Sequence, residues 1–242
     1  MAVDQEKPEQ KSAAKSERAD ELSMAEKLIG FIQRNRRILF VGFIAIAVAL
    51  LASVVGLTVR ESVVENAFLR LDELELRHHA LMPYIGSEDV AALLRQGEVT
   101  ALLEELGLFA ARNSGFSAAT AHGMRAAIFE AQARWPLAEG AWLAAANAAP
   151  ESYFAPISLF NAAAAAEEHG DLASAIELYT RALAHDENSF VAVIAQFYIG
   201  RLHEAKNNRE AALAAYHALL SRWPHDPQYA NLAQSRIILL SD

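Results

Sequence analysis

The 242-residue chain has no cysteine. That excludes disulfide bonds, thiolate metal ligands, a cysteine nucleophile and attachment through an acylated cysteine. It does not choose a compartment, because an oxidising space that avoids stray disulfides and the cytosol fit equally well. Short chemistry-bearing motifs are missing too: there is no phosphate-cradling glycine loop and no Gly-x-Ser-x-Gly elbow. Eight histidines are present, but no two stand four apart. The adjacent His78 and His79 would diverge by about 100° on a helix, too far to share one metal. No enzymatic activity, cofactor, metal or small-molecule substrate is expected. Basic residues are in deficit: residues 60–242 hold 13 Lys+Arg against 23 Asp+Glu, a net charge near −10. A surface of that sign repels phosphates, so nucleic acid is not an expected partner.

Charge vanishes altogether over residues 38–59. As a helix rising about 1.5 Å per residue, this run covers roughly 33 Å, enough for a hydrocarbon core of about 30 Å. A cleaved signal sequence has a short basic leader and an apolar stretch of about 7–15 residues. Here 37 residues come first and the apolar run is longer, which favours an uncleaved anchor. Lys27, Arg34, Arg36 and Arg37 precede the span closely, whereas only Arg60 and Arg70 follow it closely. The excess puts the N-terminus in the cytoplasm and the large C-terminal part outside.

The flanking segments divide by composition. Residues 1–37 form a cytoplasmic tail. Up to about residue 22 it is polar, charge-mixed and nearly devoid of large apolar side chains, so it is expected to be disordered. Leu22, Met24, Ala25, Leu28, Ile29, Phe31 and Ile32 either form a short amphipathic helix at the inner surface or simply lead into the span. Residues 60–82 make a juxtamembrane helix: 61–81 lack Gly and Pro and carry Val64, Phe68, Leu71 and Leu74 at helical spacing, until Pro83 stops it. Docking onto the rest of the C-terminal part suits this helix better than a coiled coil, since the heptad lasts under two repeats. Residues 83–115 read as an atypical first unit of two helices broken at Gln96-Gly97.

Residues 116–242 carry a lattice with a 37-residue period. Ala138, Ala175 and Ala212 form one row. Trp142, Tyr179 and Tyr216 follow four residues later, then Ala145, Ala182 and Leu219, and Pro150, Glu187 and Pro224 close each unit. Ala126, Ala163 and Gly200 recur where two helices must approach closely. Gly170 and Asn207 sit where a turn needs positive backbone angles. Ser152, Ser189 and Asp226 stand where each next helix needs an N-cap. Such rows imply stacked copies of one supersecondary unit, a solenoid and not a single closed core. After Asp226 only one helix remains (Tyr229, Leu232, Ala233, Ile237, Ile238), as a closing cap.

On these residues the lattice from about Phe116 to Asp242 resembles the tetratricopeptide repeat. The likeness is best over 170–183 and 207–216, and weakest from Arg134 to Pro150. It implies an all-α, right-handed helical-hairpin solenoid preceded by one transmembrane helix. The period is three residues longer than the family's 34. In that family the first helix of each hairpin lines a concave groove. The resemblance therefore implies a protein-binding strip of Ile157, Phe160, Ile194 and Phe197, with Arg201, beside an acidic ladder of Glu130, Glu167 and Glu204, suited to extended apolar or basic chain segments. The alternative is that the Phe and Ile are inter-helix core and the Glu ordinary helix surface. The family's two-carboxylate clamp is not matched, because Phe160, Ala164 and Tyr198 occupy its positions.

One N-terminal span holding an acidic repeat domain outside an inner membrane is similar to the YfgM-like ancillary subunits of the SecYEG translocon. That layout implies a membrane-anchored periplasmic scaffold with translocon subunits, envelope chaperones or unfolded exported clients as protein partners. A structural scaffold for cell-wall, division or outer-membrane assembly uses the same features. A mitochondrial import receptor fits the mixed-charge tail and the missing clamp less well.

Overall fold

Long stretches free of proline set the helices, and turn residues punctuate them. The structure is a computed structural model; it describes residues 9–87, 89–185 and 189–241, with side chains from residue 29 onward except at 56–63. Among the described residues all regular structure is helical. α1 (Glu9–Leu81) runs into a 3-10 turn (Met82–Tyr84), followed by α2 (Val90–Arg112), α3 (Gly115–Ala131), α4 (Trp135–Ala148), α5 (Phe154–Glu168), α6 (Leu172–His185), α7 (Phe190–Ala205), α8 (Arg209–Arg222) and α9 (Tyr229–Ser241). The chain divides into two compact units, Met1–Val64 and Glu65–Asp242.

In the first unit, residues 1–8 of the tail lie outside the described residues. From Glu9 the backbone is helical, against the expectation of disorder. Ala13, Ala14, Ala19 and Ala25 alternate there with Lys and Glu, all strong helix formers, so a composition that builds no core still supports a helix. Ile29–Val55 is long and apolar enough to cross a membrane, by length and composition, and none of its most apolar stretch is buried. A signal sequence meets the same two criteria.

The second unit begins on the last turns of α1. Leu71, Leu74 and Leu81 pack with Val99, Leu102, Leu106 and Phe109 of α2 and with Met124 and Ile128 of α3. Arg70 and Arg77 both reach Glu105, at 2.9 and 2.6 Å. This segment is therefore docked, and its heptad-like leucines are spent inside the unit, while Val64 and Phe68 stay exposed. Pro83 stands in the 3-10 turn, and Gly86 follows at φ +78°, where a Cβ would lie 2.2 Å from the Ala131 carbonyl oxygen. Asp89 then caps α2 by accepting from the Ala92 N–H at 2.7 Å.

α2 corrects the expected break at Gln96-Gly97: it is one helix of 23 residues. A single mid-helix glycine costs about 1 kcal/mol relative to alanine. The buried face from Ala92 through Val99, Leu102 and Leu106 to Phe109 outweighs that.

From α3 onward each helix packs on the next, and the first helices α3, α5, α7 and α9 also touch in succession. That is the contact pattern of a solenoid. The expected rows are its core. Ala138, Ala175 and Ala212 are fully buried, as are Tyr179 and Tyr216, and Trp142 nearly so. The small residues make room: a Cβ on Gly200 would sit 2.5 Å from the Tyr216 ring. Between the helices of each pair Ala133, Gly170 and Asn207, one period apart, all have positive φ (54°, 88° and 56°). The alanine of this row was not singled out by its sequence, since alanine disfavours that conformation; local bonds from the Ala133 and Arg134 N–H groups to the Glu130 and Phe129 carbonyls close the turn there.

One expectation changes and another goes untested. Glu187 lies outside the described residues. Ser152 is no N-cap: its hydroxyl donates back to the Ala149 carbonyl at 2.7 Å, and Tyr153 precedes α5 instead. Ser189 precedes α7, and the Asp226 carboxylate accepts from the Tyr229 N–H at 2.6 Å, starting α9. α9 seats Tyr229, Ala233, Ile237 and Leu240 on the α7–α8 pair and exposes Leu232, Ile238 and Leu239 together with Asn231, Gln234 and Ser235, a mixed outer face.

Candidate protein-binding groove

On α5 the residues 157, 160, 164 and 167 fall on one helical stripe, and on α7 so do 194, 197, 201 and 204. Ile157, Phe160, Ile194, Phe197, Arg201, Glu130, Glu167 and Glu204 are each half-buried, neither sealed in the core nor free in solvent. The aromatic members are joined. Phe160 lies 4.9 Å from Tyr179 and 5.5 Å from Tyr198, ring centre to ring centre, and Phe197 lies 5.6 Å from both Tyr216 and Tyr229. Phe197 and Tyr198 complete the run at 6.3 Å. The guanidinium of Arg201 sits over Tyr198, 4.6 Å from its centre. Tyr198, set aside as a mismatched clamp position, is the hub of this strip. Its signal was available in the repeat: Phe160 and Phe197 share one offset, and Tyr198 stands beside the second.

The acidic ladder is largely closed from within. Glu167 receives Arg201 from α7 at 2.6 Å. Glu204 receives Arg236 from α9 through two nitrogens and also accepts from the Tyr216 hydroxyl. The Arg236 hydrogen bonds hold the Glu204 carboxyl below its ordinary range. Among the described residues Glu130 accepts only from the Trp142 indole N–H, at 2.7 Å. Burial pushes its carboxyl up, and the indole bond offsets that in part. Twelve residues separate each glutamate from the aromatic knob of its own hairpin (Glu130 and Trp142, Glu167 and Tyr179, Glu204 and Tyr216). The middle pair is unbonded, and the Tyr179 hydroxyl is buried without a partner. Burial raises both tyrosines above the usual phenol range.

The strip is open surface. A cavity of about 440 Å³ lies away from it, beside Tyr84, Leu93 and Gln132, and one of about 490 Å³ beside Tyr153, His185 and Phe190 touches its end at Ile157. One polar network joins α4 to the α5–α6 turn and α6: Glu139 holds His169 at 2.7 Å and Ser174 at 3.1 Å. The serine hydroxyl donates to the carboxylate and not to the imidazole, so this is no activated nucleophile. Among the described residues no group of three or more His, Asp or Glu is placed to hold a metal ion.

Stacked helical hairpins with a lateral aromatic strip define a repeat scaffold of the protein-binding type. Residues 194–226, which span most of α7 and all of α8, match the tetratricopeptide-repeat family model. The chain is 39% identical over 127 residues to a TPR repeat-containing protein of Treponema pallidum (strain Nichols), covering 52% of each. It thus spans about half the length of that curated relative. Two crystal structures of nearly identical TPR-like repeats from a Podosopora anserina putative kinesin light chain, one of them of a point variant, superpose at a TM-score of 0.51. They are 14% identical, and the match to the variant covers 70% of this chain and 85% of that one. Residues 194–226 thus match one tetratricopeptide repeat, and the second unit has the TPR-like solenoid fold.

Proposed function

We propose that this protein is a membrane-anchored scaffold that takes up extended segments of other proteins along its first helices, as an ancillary adaptor at the protein-export machinery. The observation that carries the binding half is the half-buried aromatic strip of Phe160, Tyr198, Phe197 and Tyr229. Large rings left partly open along one face of a solenoid are where binding energy concentrates in protein interfaces. The anchoring half rests on the uncovered apolar stretch within Ile29–Val55, with Arg34, Arg36 and Arg37 at its N-terminal end. The export assignment rests on the likeness in layout to the YfgM-like translocon subunits.

A photoreactive benzoylphenylalanine at position 197, irradiated in living cells, tests the reading. Crosslinks to translocon subunits, envelope chaperones or emerging secretory chains are the expected result. Crosslinks to cell-wall or outer-membrane assembly proteins move the assignment to a structural scaffold. A blank at 197, with the same probe productive at exposed Glu177 on α6, makes Phe197 core and ends the groove reading.

A further inference from the structure

The three glutamates of the ladder are one repeat apart, but they are not equally served. Glu167 on α5 takes Arg201 from the next first helix, 34 residues on. Glu204 on α7 takes Arg236 from the next first helix, 32 residues on. The two corresponding positions for Glu130 are Ala164 and Ala162, both on α5. The methyl of Ala162 is fully buried, and neither side chain can neutralise a carboxylate. Glu130 Oε1 is occupied by the Trp142 indole, while Oε2 makes no hydrogen bond and is not among the sealed-off atoms. Asn161, which stands at the repeat position of Tyr198, has no hydrogen bond from its side chain among the described residues.

We infer that the Glu130–Trp142 rung is a binding site for an arginine side chain supplied by an extended, otherwise apolar segment of a partner protein. The inference rests on the groove reading above and assigns its first specificity position. The rest of the array shows what the rung accepts, since the two equivalent carboxylates each hold a guanidinium brought from the neighbouring element. Arginine fits better than lysine because its planar fork gives directional, charge-assisted bonds to a carboxylate, as Arg201 and Arg236 give Glu167 and Glu204. The raised carboxyl of Glu130 agrees, because it marks burial that no nearby cation offsets. Apolar flanks follow from Ile157 and Phe160, which share the α5 stripe with Ala164.

The test uses the full chain in detergent micelles and two fluorescein-labelled octapeptides, Leu-Ser-Phe-Arg-Leu-Ser-Phe-Gly and its twin with citrulline in place of arginine. Citrulline keeps the planar shape but removes the charge and turns one terminal amino donor into a carbonyl acceptor. The expected result is roughly tenfold tighter binding of the arginine peptide to the unaltered protein, the size of one well-placed charged hydrogen bond. Glu130→Gln, which still accepts from Trp142, should erase that preference without weakening the citrulline peptide. Ala164→Arg, which fills the rung from inside, should erase it too. Equal binding of both peptides to the unaltered protein overturns the arginine site and leaves the groove standing. Binding of neither peptide to a chain whose helical circular dichroism is intact overturns the groove reading, and this inference with it.

Discussion

The α3–α4 and α7–α8 pairs occupy the same lattice and solve it differently. In the second, Tyr216 stands over Gly200, and its hydroxyl joins Glu204 and Arg236. In the first, the row position of Gly200 is Ala126, and the larger Trp142 instead lies over Gly123, one helical turn earlier, where an added Cβ would come within 3.1 Å of the indole. The indole still bonds its glutamate, but no arginine completes the group. Equal spacing thus fixes which helices meet, while the size of one aromatic decides where the small residue must be and how the polar rung closes.

Gly200→Ala is the sharpest way to break the second pair. Its Cβ would fall within 3.0 Å of three atoms of a fully buried ring whose hydroxyl is tied to Glu204. Overpacking of this kind costs about 1–3 kcal/mol, against which the helix-propensity gain of alanine recovers about 1. Gly123→Ala meets only ring edges at 3.1 Å, which need move a few tenths of an ångström, so it should be near neutral. Urea unfolding of both variants checks the contrast, and equal midpoints would remove the distinction between the pairs.

Tyrosine-to-phenylalanine exchange should give opposite signs in neighbouring pairs. The Tyr216 hydroxyl donates to Glu204, and its removal should cost about 1 kcal/mol. The Tyr179 hydroxyl is buried with no partner, so Tyr179→Phe relieves a desolvated donor and should leave stability unchanged or raise it by up to about 1 kcal/mol. Thermal melts of the two variants decide it. Loss at both sites would mean that the Tyr179 hydroxyl finds a partner in solution.

Much of the array was legible because it is periodic. The alanine and aromatic rows, the Gly170 and Asn207 turns and the Asp226 cap all depend on local residue type at a fixed spacing, and each is seen in place. What failed depends on sums and on partners. Gly97 looked like a break because a breaker is visible locally, whereas the buried face that overrides it is spread along the whole helix. The tail from Glu9 looked disordered because the absence of a core is not the absence of a helix. The partners of the acidic ladder were not visible because Arg201 and Arg236 reach it from other helices, at offsets of 34 and 32 that no single 37-residue row displays. The groove residues themselves came from a family likeness, and periodicity alone does not separate a half-buried ring from a buried one.

The smallest expected effect is the dependence of stability on pH, and it separates the two ends of the ladder. Glu204 has a lowered carboxyl pKa when folded, chiefly because Arg236 bonds the charged form. Its contribution is therefore full above the unfolded pKa and is lost as pH falls through the lower folded value. Glu130 is raised by burial, so the folded state prefers its neutral form. Stability from that preference is present below the unfolded pKa and disappears as pH rises through the higher folded value. Glu204→Gln should accordingly destabilise at pH 7 and progressively less toward pH 3. Glu130→Gln should run the other way, most favourable relative to the unaltered chain at pH 7 and losing that advantage as the glutamate takes up its proton. Denaturation midpoints of both variants across pH 3–7 provide the measurement. Parallel curves would mean that a cation already serves Glu130, and the two pairs would then close in the same way.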